Sequence, residues 1–326
     1  MYLTAFLFIL GFVFLIKGAG ILIDGSSSIA RRFGVSAFFI GLTVVAFGTS
    51  APELVVSALA GIRGNSGLAL GNLIGSNMAN TLLILGTAAI VRPLIVKRNT
   101  INKEIPFSLL AVLAVGILAN NFLIDGVSSE GLARTDGLIL ILFFVIFLFY
   151  TFGIAREKEN IFKKTVGDLK LEPREYNIFL AVGMIIAGLA GLAIGGEWIV
   201  DGAVELAKFF GLSEALIGLT IVAVGTSLPE FAASVVAAKR GQTDIAVGNV
   251  VGSNIFNFLW VLGLSATISP ISFNPILNFD ILFLMIVSIL LLVLIYIGRR
   301  NILARQEGMV LVGLYVLYVV FLILRG

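Results

Sequence analysis

The chain has no cysteine and no histidine among its 326 residues. The first absence excludes disulfides, thiolate metal sites and iron–sulfur ligation, and the second removes the commonest proton shuttle and transition-metal ligand. Any chemistry must therefore be done by oxygen atoms. Charge is scarce as well: 13% of residues are charged and 59% are hydrophobic, whereas a soluble domain carries about 25% charged residues. No part of the chain has the makeup of a soluble domain.

What is present instead is a series of apolar stretches of about 20 residues, each long enough to cross a hydrocarbon core of roughly 30 Å. The first, "YLTAFLFILGFVFLI", lacks a basic flank and a small-residue cleavage site, so it reads as a retained span. Hydropathy and helix breakers place spans near 2–23, 36–61, 67–91, 105–120, 136–154, 177–201, 212–238, 244–267, 277–297 and 308–324. The expected fold is an all-α membrane protein of ten transmembrane helices. Membrane lipid is the expected surround, and the net charge of +3 follows from loop lysines and arginines and implies no nucleic acid.

The sizeable polar segment from Arg156 to Asn177 divides the spans into two sets of five. This gives a first repeat over 1–155, a solvated cytoplasmic linker over 156–176 and a second repeat over 177–326. With Glu53 set against Glu230, the same offset pairs Gly41 with Gly218, Ser76 with Ser253 and Asn80 with Asn257 without a gap. Upstream, "IDGSSSIARRFGVS" meets "VDGAVELAKFFGLS" in that frame. Five is odd, so the second set must start from the opposite side of the membrane, which makes an inverted repeat. The basic residues agree: one set of loops holds Arg31, Arg32, Arg92, Lys97, Arg98, Lys103, the basic residues of the 156–177 segment, Lys239, Arg240, Arg299, Arg300 and Arg305, and the other only Arg63, Arg134, Lys208 and Arg325. The positive-inside rule makes the first set cytoplasmic and puts both termini outside the cell membrane.

Two six-residue stretches carry the chemistry. "GTSAPE" ends at Glu53 and "GTSLPE" at Glu230, each inside an apolar run. Proline has no N–H and its ring clashes with the carbonyl four residues back, so Pro52 and Pro229 break helices two and seven in mid-membrane. Each then restarts a second half-helix at its first turn. An ionised side chain near the bilayer centre costs at least about 2.5–3.5 kcal/mol and calls for a partner. Lys17 is the only base inside a span and has no counterpart at Ile194, so a bound cation is the expected counter-charge. Carboxylate, hydroxyl, amide and carbonyl oxygens suit Ca²⁺ and Na⁺. Two carboxylates neutralise one Ca²⁺, and Na⁺ would compete for the same oxygens.

The following spans, "GNLIGSNMAN" and "GNVVGSNIFN", put Ser76 with Asn80, and Ser253 with Asn257, at i and i+4 on one helical face. Gly71, Gly75, Gly248 and Gly252 are read as packing residues that let these helices approach their neighbours. Asp24 and Asp201 precede glycines at expected span ends and are read as turn caps.

Together, "GTS.PE" followed by "GN..GSN...N", present twice, resembles the two α-repeats of the cation/Ca²⁺ antiporter superfamily, and most closely its prokaryotic Na⁺/Ca²⁺ exchangers. The motifs run over 41–80 and 218–257, and the likeness covers essentially the whole chain. The resemblance implies a core of spans two, three, seven and eight, against which spans one and six slide to give alternating access. It implies Ca²⁺ held between Glu53 and Glu230 with the carbonyls of Thr49 and Thr226. It also implies Na⁺ sites using Ala46, Ser50 and Ser76 on one flank and Ala223, Ser227 and Ser253 on the other, with Asn80 and Asn257 in the middle. Such an exchanger is not an enzyme, needs no cofactor and is expected to work as a monomer. Asn257 stands where K⁺-dependent members carry an acid, which argues against K⁺ co-transport. Two other readings remain open: H⁺/Ca²⁺ exchange, whose branch typically reads "GN.TE" at this motif, and a passive cation channel with the glutamates as its filter.

Overall fold

The computed structural model describes residues 2–121, 126, 131–165, 176–209, 223–297 and 301–325. Among these, eight helices are long and apolar enough to cross a membrane, and a bent pair makes a ninth span. In chain order they are α1 (Tyr2–Arg32), the bent pair α2 (Ala37–Thr49) and α3 (Ala51–Ile62), α4 (Ser66–Val91), α5 (Thr100–Ala119), α6 (Arg134–Thr165) and α7 (Ile178–Phe209). There follow α8 (Ala223–Thr226), α9 (Leu228–Lys239), α10 (Thr243–Ile268), α11 (Leu277–Ile297) and α12 (Arg305–Arg325). The chain is thus a multi-pass membrane protein. The first part of the expected seventh span, with Ser213 and Gly218, lies outside the described residues, as do Arg299, Arg300 and residues 166–175 of the polar segment.

Helix ends are set locally. Ser36 accepts the Phe39 N–H at 3.1 Å and starts α2. Asp136 and Glu307 reach back to the N–H groups of Ala133 and Ala304 at 2.7 and 3.1 Å and fix the starts of α6 and α12. Helix α6 runs on to Thr165, so the first part of the polar segment is helical.

Helices α4 and α10 form the centre: the most apolar stretch of α10 is 94% buried, against 17% for α12 at the edge. Around them, two short antiparallel ribbons join the halves of the chain. Strand β1 (Leu94–Ile95) pairs with β4 (Ile302–Leu303), and β2 (Gly131–Leu132) with β3 (Ile271–Ser272). Asp280 of α11 is buried and both its oxygens are engaged, by Tyr318 Oη at 2.9 Å and Arg325 Nη1 at 3.0 Å, which ties α11 to α12.

Helices α1 and α7 pack along their length through glycine. An added Cβ at Gly11 would lie 2.8 Å from the Gly195 carbonyl, one at Gly18 would lie 2.9 Å from that of Gly188, and one at Gly25 would lie 2.8 Å from that of Ala181. Such close backbone approach makes the two helices one body. On α10, Gly248 and Gly252 act as expected: a Cβ at either would come within 2.6 Å of the Phe38 or Leu42 carbonyl of α2. No such neighbour of Gly71 or Gly75 occurs among the described residues. In the repeat frame their partners would sit at 215 to 223, nearly all outside the described region.

The capping role read for Asp24 and Asp201 is not what the structure shows. Both lie inside helices that continue to Arg32 and Phe209. Asp24 is instead ion-paired to Arg240 at 2.6 Å. Helices α1 and α7 extend well past the apolar stretch that hydropathy detects, so both aspartates fall within a helix and not at its end.

Candidate functional site

The two proline motifs act as the sequence predicts. Helix α2 ends at Thr49, α3 restarts with Pro52 in its first turn, and the two axes bend by 44° about Ser50. Ser50 itself sits at φ −82°, ψ 8°. Ser227, between α8 and α9, sits at φ −87°, ψ 5°, with Pro229 just inside the restart. Backbone leaves helical geometry twice, at equivalent places, deep in an apolar fold. Such breaks persist where protein groups or a lined cavity satisfy the freed backbone.

The side chains around the breaks form a crossed, two-fold set. Ser227 Oγ donates to Glu53 Oε1 at 3.2 Å, and Ser50 Oγ donates to Glu230 Oε1 at 3.0 Å. Each glutamate thus takes a hydroxyl from the other half of the chain. The same oxygens accept from their own half, Ser76 to Glu53 at 3.3 Å and Ser253 to Glu230 at 3.4 Å. The crossing continues outward: Thr49 Oγ1 donates to Asn249 Oδ1 and Thr226 Oγ1 to Asn72 Oδ1, both at 3.2 Å. Asn72 and Asn249 are held in turn by Ser57 and Ser234, at 3.2 and 2.9 Å.

Asn80 and Asn257 lie within wider, π-helical turns of α4 and α10, over Ala79–Ile84 and Phe256–Val261. Such turns are rare and recur at functional sites. Asn257 Nδ2 donates to Asn77 Oδ1 at 3.0 Å, and Asn77 Nδ2 to the Asn254 carbonyl at 3.3 Å.

What remains unpaired is as informative. Glu53, Glu230, Asn80 and Asn257 are each no more than 1% exposed. Yet Glu53 Oε2, Glu230 Oε2, Asn257 Oδ1 and both polar atoms of Asn80 have no hydrogen-bond partner among the described residues. Leaving a buried polar atom unmade costs about 1–3 kcal/mol, and more for a charged one. The two carboxylates also interact electrostatically with one another. Asp280, equally buried but fully partnered, shows what a structural acid looks like in the same fold. A cavity of about 510 Å³ reaches the breaks, lined by Thr49, Pro52, Glu197, Asp201, Thr226 and Pro229 among others.

The structure therefore brings together Glu53, Glu230, Ser50, Ser227, Ser76, Ser253, Thr49 and Thr226. It sets Ser76 with Ser227 on Glu53 and Ser50 with Ser253 on Glu230. Ala46 is fully buried, and its carbonyl accepts the Ser50 N–H at 3.0 Å. Ala223 opens α8. Sequence reasoning missed Asn72, Asn77 and their mates Asn249 and Asn254. All four stand in the quoted motifs, and their recurrence in both repeats was the available signal.

Comparison with known proteins matches this geometry to a family. The sodium/calcium exchanger protein family matches residues 3–153 and 180–324, which is nearly the whole chain in two blocks. The chain belongs to that family. Its members are transporters and not enzymes. Among relatives, the inner membrane protein YrbG of Escherichia coli is 36% identical, over 99% of this chain and 97% of its own length. The sodium/calcium exchanger MaX1 of Methanosarcina acetivorans is 33% identical, over 96% of this chain and 97% of its own. A solved structure of the sodium-calcium exchanger NCX_Mj, soaked with 10 mM Na⁺ and 10 mM Sr²⁺, superposes with a TM-score of 0.82 at 33% identity, covering 98% of both chains.

Proposed function

We propose that this family member exchanges Na⁺ for Ca²⁺ across the cell membrane by alternating access. The observation that carries the reading is the set of unpaired oxygens on Glu53, Glu230, Asn80 and Asn257, buried behind two broken helices. Ca²⁺ takes six to eight oxygen ligands at about 2.3–2.6 Å, and two carboxylates offset its charge. In the proposed site Ca²⁺ lies between Glu53 and Glu230, with the carbonyls of Thr49 and Thr226 completing its shell. Na⁺ positions flank it, drawing on the serine hydroxyls beside each glutamate and on the Ala46 and Ala223 carbonyls, with Asn80 and Asn257 in the middle. A hydroxyl that donates its proton to a carboxylate keeps its lone pairs for a cation. The serines can thus serve both ions.

Shared ligands make Ca²⁺ and Na⁺ occupancy mutually exclusive, and that competition couples the two fluxes. Burial enforces it: an empty site leaves two carboxylates without counter-charge in a low-dielectric interior, where an uncompensated charge is strongly disfavoured. The site therefore changes sides only when loaded.

The architecture that we propose around this site is ten transmembrane helices in two inverted five-helix repeats, 1–155 and 177–326, joined by a cytoplasmic linker and with both termini outside. Its supports are the 177-residue separation of equivalent residues, the crossed hydrogen bonds and the loop charges. The protein works as a monomer, since the oxygens come from one chain. The test is radioactive Ca²⁺ uptake into proteoliposomes with Na⁺, K⁺ or H⁺ gradients imposed in turn. Uptake driven by Na⁺ alone is expected. Uptake driven by H⁺ alone would replace this reading with proton exchange, and uptake needing no counter-gradient would replace it with a channel.

A further inference from the structure

Arg63 and Arg240 occupy the same place in the repeat frame. Each caps the half-helix that follows a break, with φ and ψ of −80° and 1° at Arg63 and −79° and −1° at Arg240. Each precedes a left-handed glycine, Gly64 at φ 74° and Gly241 at φ 80°. The backbones match, but the side chains are used differently.

Arg240 is docked on α1. Its Nη1 donates to Asp24 Oδ1 at 2.6 Å and to the Gly20 carbonyl at 2.9 Å. The guanidinium fills the space over Gly20, where an added Cβ would meet Nη2 at 2.7 Å. Ser27 reinforces the contact by donating to Gln242 Oε1 at 2.5 Å. At the opposite face, the residues equivalent to Gly20 and Asp24 are Glu197 and Asp201, one turn apart on α7. Both line the 510 Å³ cavity. Arg63 is exposed and makes no ion pair among the described residues. Helix α1 lies along α9, whereas among the described residues α7 has no comparable packing on α3.

We propose that Arg63 docks between Glu197 and Asp201 when this cavity closes, as the counterpart of the Arg240–Asp24 latch, and that the two latches are engaged in alternation. The inference rests on the alternating-access reading. Because glycine contacts lock α1 to α7, a shift that carries Asp201 towards Arg63 also draws Asp24 away from Arg240. Closing the cavity takes the Glu197 and Asp201 carboxylates out of water, which is costly for unpaired anions. Arg63 supplies the neutralising charge. The replacement of Gly20 by Glu197 gives the second latch two carboxylates where the first has one.

The native chain has no cysteine, so engineered pairs report cleanly. Asp24→Cys with Arg240→Cys, and separately Arg63→Cys with Asp201→Cys, would be bridged by a short bifunctional thiosulfonate in proteoliposomes. Both pairs should link, each link should stop Na⁺-driven Ca²⁺ uptake, and reduction should restore it. Adding Asp24→Asn to the 63/201 pair should raise its linking rate about three-fold, the scale set by one exposed ion pair. Adding Arg63→Ala to the 24/240 pair should raise that rate by a similar factor, which tests the latch without a cysteine at 63. Linking at 24/240 but not at 63/201 in protein that still exchanges would overturn the latch and leave alternating access standing. So would an Arg63→Ala change that leaves the 24/240 rate unaltered. Linked forms that exchange at the unlinked rate would overturn alternating access itself, and the latch with it.

Discussion

Replacing Glu53 by Gln changes one charge and almost nothing else. Ser227 and Ser76 donate to Oε1, at 3.2 and 3.3 Å, and glutamine keeps that acceptor. The difference falls on Oε2, the buried oxygen without a partner, which becomes an amide nitrogen presenting hydrogens to the place where a cation would sit. Removing one member of a buried charge pair costs about 3–5 kcal/mol. At 1.4 kcal/mol per decade this is a loss of roughly 140- to 3,700-fold in apparent Ca²⁺ affinity. The assay is Ca²⁺ uptake into Na⁺-loaded proteoliposomes over a Ca²⁺ concentration series, with a thermal melt of the same preparation to show that the variant folds. Glu230→Gln should fall in the same range, because Ser50 and Ser253 hold Glu230 as Ser227 and Ser76 hold Glu53. A folded variant whose Ca²⁺ affinity is within about ten-fold of the parent would refute the shared-carboxylate site, since the buried-pair cost could not then apply.

Asn257→Asp replaces the amide that donates to Asn77 Oδ1 at 3.0 Å, setting oxygen against oxygen; a stability loss of about 1–3 kcal/mol is expected in a melt without cations, recovered in part by added Na⁺. Gly252→Val would drive a side chain into the Leu42 carbonyl and the Ala46 Cβ, where even a first carbon lies 2.6 and 2.7 Å away. It should destabilise by about 1–3 kcal/mol or more in thermal unfolding, with Ala at the same position milder. Single cysteines at the exposed positions Thr135 and Gln306 test orientation: the first should label from outside and the second from the cytoplasm in sealed cells. The reverse pattern would invert the proposed topology.

Membrane residence, the helix breaks and the two motif glutamates were legible in the sequence, because each follows from local rules. A run of apolar residues must be helical in lipid, and a proline removes its own hydrogen bond wherever it stands. Glu53 and Glu230 stood out because an acid in such a run is costly by itself. Other features depended on which chains of atoms meet. No spacing rule says that Ser50 serves Glu230 and Ser227 serves Glu53, since that crossing joins residues 180 and 174 positions apart. The same limit applied to Asp24. Before a glycine it reads as a cap, but 216 positions away Arg240 is brought to it by the packing of α1 on α9. The sequence determined that Glu53 and Glu230 would lie within the membrane, because each stands in an apolar run long enough to cross it. Only the tertiary structure decided which of their oxygens are already satisfied and which are left open, because a hydrogen bond between distant segments depends on distance and angle and leaves no trace in local order.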